Sequence, residues 1–351
     1  MGPTSSAEHA GGPAGPATDG SDAQVVAAAR RVADELLFPE AVAVDRSGRF
    51  PTRQLDALAA AGLYGILAPV AHGGLDASAE TYACVAEEIA CGCLTTAFVW
   101  AQHHNAVRAL ATAADDLRDE WLGALAAGTR RAGVAFGALR RPGPPLLRAT
   151  PARDGYVLDG TAPFVTGWGH VDVVHVAART ASDDVVWLLV DARDGPTLAS
   201  GALALAALGA SATVALRFAG HEVPASRVTV VEPLATWRAR DRAGLRPNGA
   251  LALGVAARCA RLLDSERLAR AVERVRGQLA TGDDGDVPRA RAEAARLAGL
   301  AATELVVARG SRAVTATDDA QRLYREAMFL LVFGQTEEIR SEQLARCRAD
   351  E

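Results

Sequence analysis

The sequence predicts a mostly α-helical chain with a central β subdomain: an N-terminal helical domain, a small β-barrel or sandwich, and a C-terminal helical bundle. Three observations lead there. Apolar residues recur at helical spacing up to about residue 131 and again from about 233. Between these stretches the chain changes to short β-branched runs separated by turn signals, the pattern of a small antiparallel barrel or sandwich. At 351 residues it is also longer than one compact core usually serves. The expected boundaries are 1–22 for a disordered tail, 23–131 for the helical domain, 132–232 for the barrel and 233–351 for the bundle.

The tail rests on composition, since Met1 to Asp22 are rich in Gly, Pro, Ser and Ala and bury too little apolar surface to offset ordering entropy. Ser21 or Asp22 then caps a helix whose stripe is Val25, Ala29, Val32 and Leu36, the i, i+4, i+7, i+11 spacing. Pro51-Thr52 opens a second helix and Gly62 ends it. A long helix runs through Tyr82, Val85, Glu88 and Ile89, another begins near His103, and one more spans Asp115 to Ala127. Strands are expected at Gly133–Ala138, at Tyr156–Leu158 after the Asp154-Gly155 turn, and at Val171–Ala178, Val185–Asp191, Thr213–Phe218 and Arg227–Val231. Pro247 suits the first turn of a helix that Gly282 breaks. Pro288 starts another to about Val314, and two more follow from Asp318 and Thr336.

Composition excludes several functions. The formal charge is −5 with no basic concentration, so nothing favours a nucleic-acid partner. All 37 basic residues are arginine, which rules out lysine chemistry such as a Schiff base or a phosphate-loop lysine. The five cysteines include no CxxC pair, which points to a reducing cytoplasm, and Cys91-Gly-Cys93 reads as a buried helix end. No uninterrupted apolar run reaches the ~18 residues of a membrane helix, and no metal-ligand spacing joins the histidines. A cytoplasmic protein without membrane or nucleic-acid partners is expected.

Several motifs, in order along the chain, carry a resemblance. Gly62-Leu-Tyr-Gly-Ile-Leu-Ala-Pro-Val-Ala-His-Gly-Gly74 resembles "GLLGLTVPEEYGG", and Cys84-Val-Ala-Glu-Glu-Ile-Ala90 resembles "VLEELA". Asp154-Gly-Tyr-Val-Leu-Asp-Gly-Thr161 followed by Phe164-Val-Thr166 resembles "DGYVLNGTKxWIT". Thr303 to Gly310 and Arg322 to Ala327 resemble "TEAVQIxGG…ERLxRDA", and Phe333-Gly-Gln-Thr336 stands in the place of "YEGT". These are landmarks of the acyl-CoA dehydrogenase superfamily, and the order of helices, strands and helices is that of its fold.

The resemblance implies FAD as cofactor and an acyl thioester or related small molecule as substrate. It also exposes departures. The family's usual base is the Glu of "YEGT", where this chain has Gly334. Leu245 stands where some members carry the base instead, ahead of Arg246 and Pro247. Glu326, Glu337 and Glu338 lie close in sequence but read as solvated helix charges. The flavin-wrapping "TEPxAGSD" corresponds to Leu139-Arg-Arg-Pro-Gly-Pro-Pro145, and no "RxxFG" segment is found.

The cofactor-binding candidates that the resemblance leaves are Thr166, Phe164 in place of a ring-stacking Trp, Trp168, Gly310 and Thr336. Phe164 and Trp168 either meet the flavin or fill the barrel core. Arg246 and Gly334 are the candidate substrate positions. His103 and His104, taken as the start of a cavity-lining helix, are the candidate catalytic residues, against the alternative of one exposed and one backbone-satisfied histidine. Three functions fit: a flavin-dependent oxidoreductase with a displaced base, a non-catalytic partner subunit of a hetero-oligomeric acyl-CoA dehydrogenase, and a flavin-free protein using the same cleft for binding or non-redox chemistry. The unbroken apolar run Met328 to Phe333 predicts self-association as a homodimer or homotetramer.

Overall fold

The computed structural model describes residues 19–141, 143–283 and 285–349; most of the expected tail, residues 1–18, lies outside them. The chain runs through helices α1 (Asp19–Val32), α2 (Phe38–Ser47), α3 (Thr52–Ala60), α4 (Ala79–Gly92), α5 (Leu94–Ala111) and α6 (Asp115–Ala126). Strands β1 (Ala132–Ala135), β2 (Leu147–Ala152), β3 (Gly155–Val165), β4 (Val173–Arg179), β5 (Asp184–Asp191), β6 (Leu198–Ala202), β7 (Val214–Pro224) and β8 (Val228–Pro233) follow. Helices α7 (Leu234–Ala243), α8 (Gly249–Leu262), α9 (Glu266–Thr281), α10 (Val287–Arg309), α11 (Asp319–Val332) and α12 (Glu337–Ala349) complete it.

The first helix starts at Asp19, and Asp22 accepts a bond from the Thr81 hydroxyl at 2.7 Å instead of capping. A π-helical turn over Ala33–Leu37 joins α1 to α2. The fully buried stripe is accordingly Ala29, Ala33, Leu37 and Ala41, at a spacing of four, while the expected Val25, Val32 and Leu36 are half-buried. Pro51 and Gly62 bracket α3 as expected, with Gly62 at φ +73°. The helix expected to begin near His103 begins at Leu94, with Cys93 at its N-cap. Cys91 and Cys93 are buried where α4 meets α5. The long helix expected from Pro247 to Gly282 is two, α8 and α9, separated at Leu263–Ser265, where the Ser265 hydroxyl caps α9.

One apolar core unites α1 to α5 with α8, α9, α10 and α11. The axis of this packing is α4 against α8, and Gly254 makes it possible: a Cβ there would lie 2.4 Å from the Glu87 carbonyl oxygen and 2.7 Å from Ala90 Cβ. Gly254→Val should therefore cost about 1–3 kcal/mol through overpacking, read as a lowered urea midpoint. An unchanged midpoint would mean that the two helices separate freely.

The strands form a single sheet in the order β6-β7-β3-β2-β4-β5-β8, antiparallel except where β4 meets β1 and, at one residue pair, β2. Alternate side chains of β2 to β7 converge on one inner cluster that includes Leu158, Val174, Val176, Leu188, Leu216 and Phe218. The enclosure is barrel-like, but among the described residues β6 and β8 do not pair, so the hydrogen-bonded ring is not closed. The opposite face meets the helices: Val173 and Leu189 pack with α5 and α6, and Ala177, Val185 and Trp187 with Leu234 and Trp237 of α7.

Glu326 departs from its expected solvated state. It is 3% exposed and accepts from the Arg322 guanidinium at 2.8 Å, with Asp319 completing the network at 2.7 Å. Burial pushes its carboxyl up, against the pull of Arg322. Glu337 and Glu338 are exposed, as expected.

Candidate functional site

The fold gathers its chemistry around Gly334, at the end of α11. Its φ of +60° lies in the left-handed region, which glycine enters without Cβ strain. A Cβ built there would meet three side chains from three segments: Asn248 Nδ2 at 3.2 Å, Arg291 Nη2 at 3.4 Å and Arg140 Nη1 at 3.7 Å. Asn248 stands at the N-terminus of α8, Arg291 on α10 and Arg140 on the short 3-10 turn Gly137–Arg140 that follows β1.

The two guanidiniums differ in their partners. Arg140 holds Asp241 of α7 in a two-pronged pair, Nε at 2.9 Å and Nη2 at 2.7 Å. Arg291 is 3% exposed, donates from Nη2 to the Phe333 carbonyl at 2.9 Å, and leaves Nε without a hydrogen-bond partner. No ion pair joins it to an acidic residue among the described residues. Burial first, and the neighbouring Arg140 second, press its pKa down to about 10. Beside this group Phe98, Phe329 and Phe333 form an aromatic trio with centroids 5.0 to 5.5 Å apart.

Other expected site residues lie elsewhere. Both candidate catalytic histidines sit in the middle of α5, buried at 1% and 2% exposure among Tyr64, Tyr82 and Trp100. His103 Nδ1 accepts from the Ala132 N–H at 3.1 Å, and His104 Nδ1 meets the Trp100 carbonyl at 3.0 Å. Burial drives the His103 pKa well below its usual value and that of His104 down to about 3. Walled in by aromatic rings, they are neutral core residues, not bases presented to a substrate. The alternative weighed for the pair, one exposed and one satisfied by backbone, holds in part: both rings meet backbone groups through Nδ1, and neither is exposed.

Arg246 holds the C-terminus of α9: Nη1 and Nη2 donate to the Leu279 and Gly282 carbonyls at 2.6 and 2.8 Å. Leu245 is buried with Val287 and Ile339 in a small apolar cluster. Trp168 belongs to the inner cluster of the sheet, its indole N–H donating to Asp194 at 3.2 Å, so it fills the core. Thr166 is buried and shares a hydroxyl chain with Thr213 at 3.0 Å and Ser211 at 2.7 Å.

Phe164 is different. The residue is 61% exposed on a backbone at φ +56°, an arrangement costly for a bulky residue unless something else fixes it. Pro163 beside it approaches Gly137, the first residue of the turn that carries Arg140, at 3.8 Å to a built Cβ. Gly310 ends α10 at φ +60° with open space around it, and the Thr336 hydroxyl lies 3.4 Å from the Ile339 N–H at the start of α12. Sequence reasoning reached Gly334 but missed Arg140, Arg291 and Asn248, because nothing in their local spacing shows that three distant segments meet.

A depression of about 670 Å³ lies between α9, α10 and α12 around Glu293. Arg296 and Arg346 meet this carboxylate at 2.9 and 3.0 Å, so Glu293 is already paired. Among the described residues no helix is long and apolar enough to cross a membrane.

Comparison with known proteins agrees with this architecture. Residues 21–129 match the model of the acyl-CoA dehydrogenase N-terminal domain. The cyclohex-1-ene-1-carbonyl-CoA dehydrogenase of Syntrophus aciditrophicus is 30% identical over 158 residues, 43% of this chain and 38% of that enzyme, so the match spans about two-fifths of the curated relative. The butyryl-CoA dehydrogenase structure from Megasphaera elsdenii superposes with a TM-score of 0.80 at 18% identity, covering 96% of this chain and 100% of that one. A glutaryl-CoA dehydrogenase from Mycobacterium smegmatis, solved in complex with FADH2, gives 0.78 at 18% identity, covering 95% and 96%. Residues 21–129 thus match the acyl-CoA dehydrogenase N-terminal domain, and the chain as a whole has the fold of the solved acyl-CoA dehydrogenases.

Proposed function

We propose that the chain is a flavin-dependent oxidoreductase of the acyl-CoA dehydrogenase type, acting on an acyl thioester or related small molecule without a carboxylate base at Gly334 or Leu245. The observation that carries the flavin is Phe164. This exposed aromatic residue, on left-handed backbone next to the Arg140 turn, fits a planar aromatic group lying against it. Gly310 and Thr336 are the further residues proposed to line the cofactor, and bound FAD would supply the hydride acceptor. Thr166 and Trp168 contribute rigidity, since their polar atoms are engaged within the sheet.

Self-association is part of the same reading. Helix α11 turns Ala320, Leu323, Ala327 and Leu330 inward and leaves Tyr324, Met328, Leu331 and Val332 at 40 to 64% exposure. The run expected to be apolar on every side is thus half core and half surface stripe, at the i, i+4, i+7, i+8 spacing of a helix packing face.

One experiment tests both parts. The purified chain is passed through a sizing column with light scattering and absorbance recorded together. A yellow dimer or tetramer is expected. A colourless species that gains colour only with a partner would favour the subunit reading, and one that never binds FAD would favour the flavin-free reading.

A further inference from the structure

The geometry points to a binding site for a carboxylate borne on an apolar chain, formed by Arg140, Arg291 and Asn248 over Gly334, with Phe98, Phe329 and Phe333 beside it. It stands whether or not flavin is bound. Two guanidiniums approach the same point, 3.4 and 3.7 Å from where a Cβ at 334 would be, yet among the described residues they share one carboxylate, Asp241, which occupies Nε and Nη2 of Arg140 alone. A buried cation without a counter-charge is costly. Arg291 bears that cost with Nε unpartnered, 3% exposed and a like charge beside it.

An anion between the two guanidiniums would supply the counter-charge that Arg291 lacks. The planar forks suit a carboxylate, and the Asn248 amide can turn its NH2 toward the same oxygens. Gly334, Arg140 and Asn248 are half-buried, which leaves a way in from solvent, while Arg291 forms the buried floor. Glycine at 334 leaves the three donors without a side chain packed over them, and the aromatic trio that ends in the neighbouring Phe333 supplies apolar surface for whatever bears the carboxylate. The ligand is therefore a free carboxylic acid, and its acid end, not a thioester, meets the arginines.

The test is thermal melting of the full chain titrated with sodium hexanoate, sodium acetate and sodium phosphate against sodium chloride of equal ionic strength. Hexanoate should raise Tm saturably, with half-saturation at least tenfold below that of acetate, and phosphate should do no better than acetate. Arg291→Gln should weaken the hexanoate response at least tenfold. Gly334→Asp should abolish it by placing a carboxylate in the site, and should melt above Gly334→Asn, which shares the backbone strain without the charge. Absence of a saturable hexanoate response in the unmodified chain overturns the site. So does phosphate binding as tightly as hexanoate, which would make it a general anion patch. The unmodified chain decides both points even if a variant fails to fold.

Discussion

Lowering the pH from 7 to 5 should destabilise the fold, by about 2 kcal/mol each through the imidazoles of His104 and His175, with His103 acting in the same direction. His103, His104 and His175 are buried at 1 to 2% exposure. His175 is fixed between Asn105 at 2.7 Å and Thr229 at 2.8 Å. Burial brings His104 and His175 down to about 3 and His103 well below its usual value. A depressed imidazole pKa means that the folded chain refuses a proton that the unfolded chain accepts. Stability is then complete above about pH 6.5 and lost as the pH falls from there toward 3. Glu87 and Glu326, whose carboxyls burial pushes up, oppose part of this loss because the fold protonates them first. Urea midpoints at pH 7, 6 and 5 at fixed ionic strength measure the net effect. Midpoints that do not move would show that the three rings take up protons in the folded state.

Assayed alone with saturated fatty acyl-CoA thioesters and a dye acceptor, the chain should turn over about 10² to 10⁴ times more slowly than a relative with its base in place. Proton abstraction needs a positioned acceptor. Position 334 is glycine facing two cations, Leu245 is apolar core, Glu326 is committed to Arg322, and Asp241 is held by both prongs of Arg140. Restoring a glutamate should not restore the rate. In Gly334→Glu the new carboxylate would fall among Arg140 and Arg291, which favour its ionised form and hold it in place. Acyl-CoA-dependent dye reduction by this variant would show that the guanidiniums move aside, and brisk turnover by the unmodified chain would show that another residue is the base.

The sequence made the order of helices, strands and helices legible, because periodicity survives wherever one face is buried. It failed where local composition opposed tertiary context. Strand β2 reads Leu-Arg-Ala-Thr-Pro-Ala and β6 reads Leu-Ala-Ser-Gly-Ala. Both lack a β-branched run, and each is held as strand by its longer neighbour, β3 or β7. The candidate site was half legible. Motif order located Gly334 and Phe164, and the Pro-Gly segment after β1 hinted at altered chemistry. The meeting of Arg140, Asn248 and Arg291 is a product of packing between segments far apart in the chain. His103 and His104 misled for the opposite reason: histidine invites a catalytic reading, and only burial reveals a core residue.

The π-helical turn at Ala33–Leu37 fixes how the first helix tolerates changes in length. Ala29, Ala33, Leu37 and Ala41 are spaced by four, and a plain α-helix would rotate such a series by about 120° over its length. The wider turn takes up about one residue, or roughly 100°, and keeps all four side chains facing the core on the α4 side. Removing any one residue from 33–37 would therefore regularise the hydrogen bonding while swinging α2 about its own axis. Asp45, which accepts from Arg325 of α11, would be carried off its partner. The irregular turn is in this sense an insertion already absorbed, and a shorter, more regular helix would fit the rest of the molecule less well.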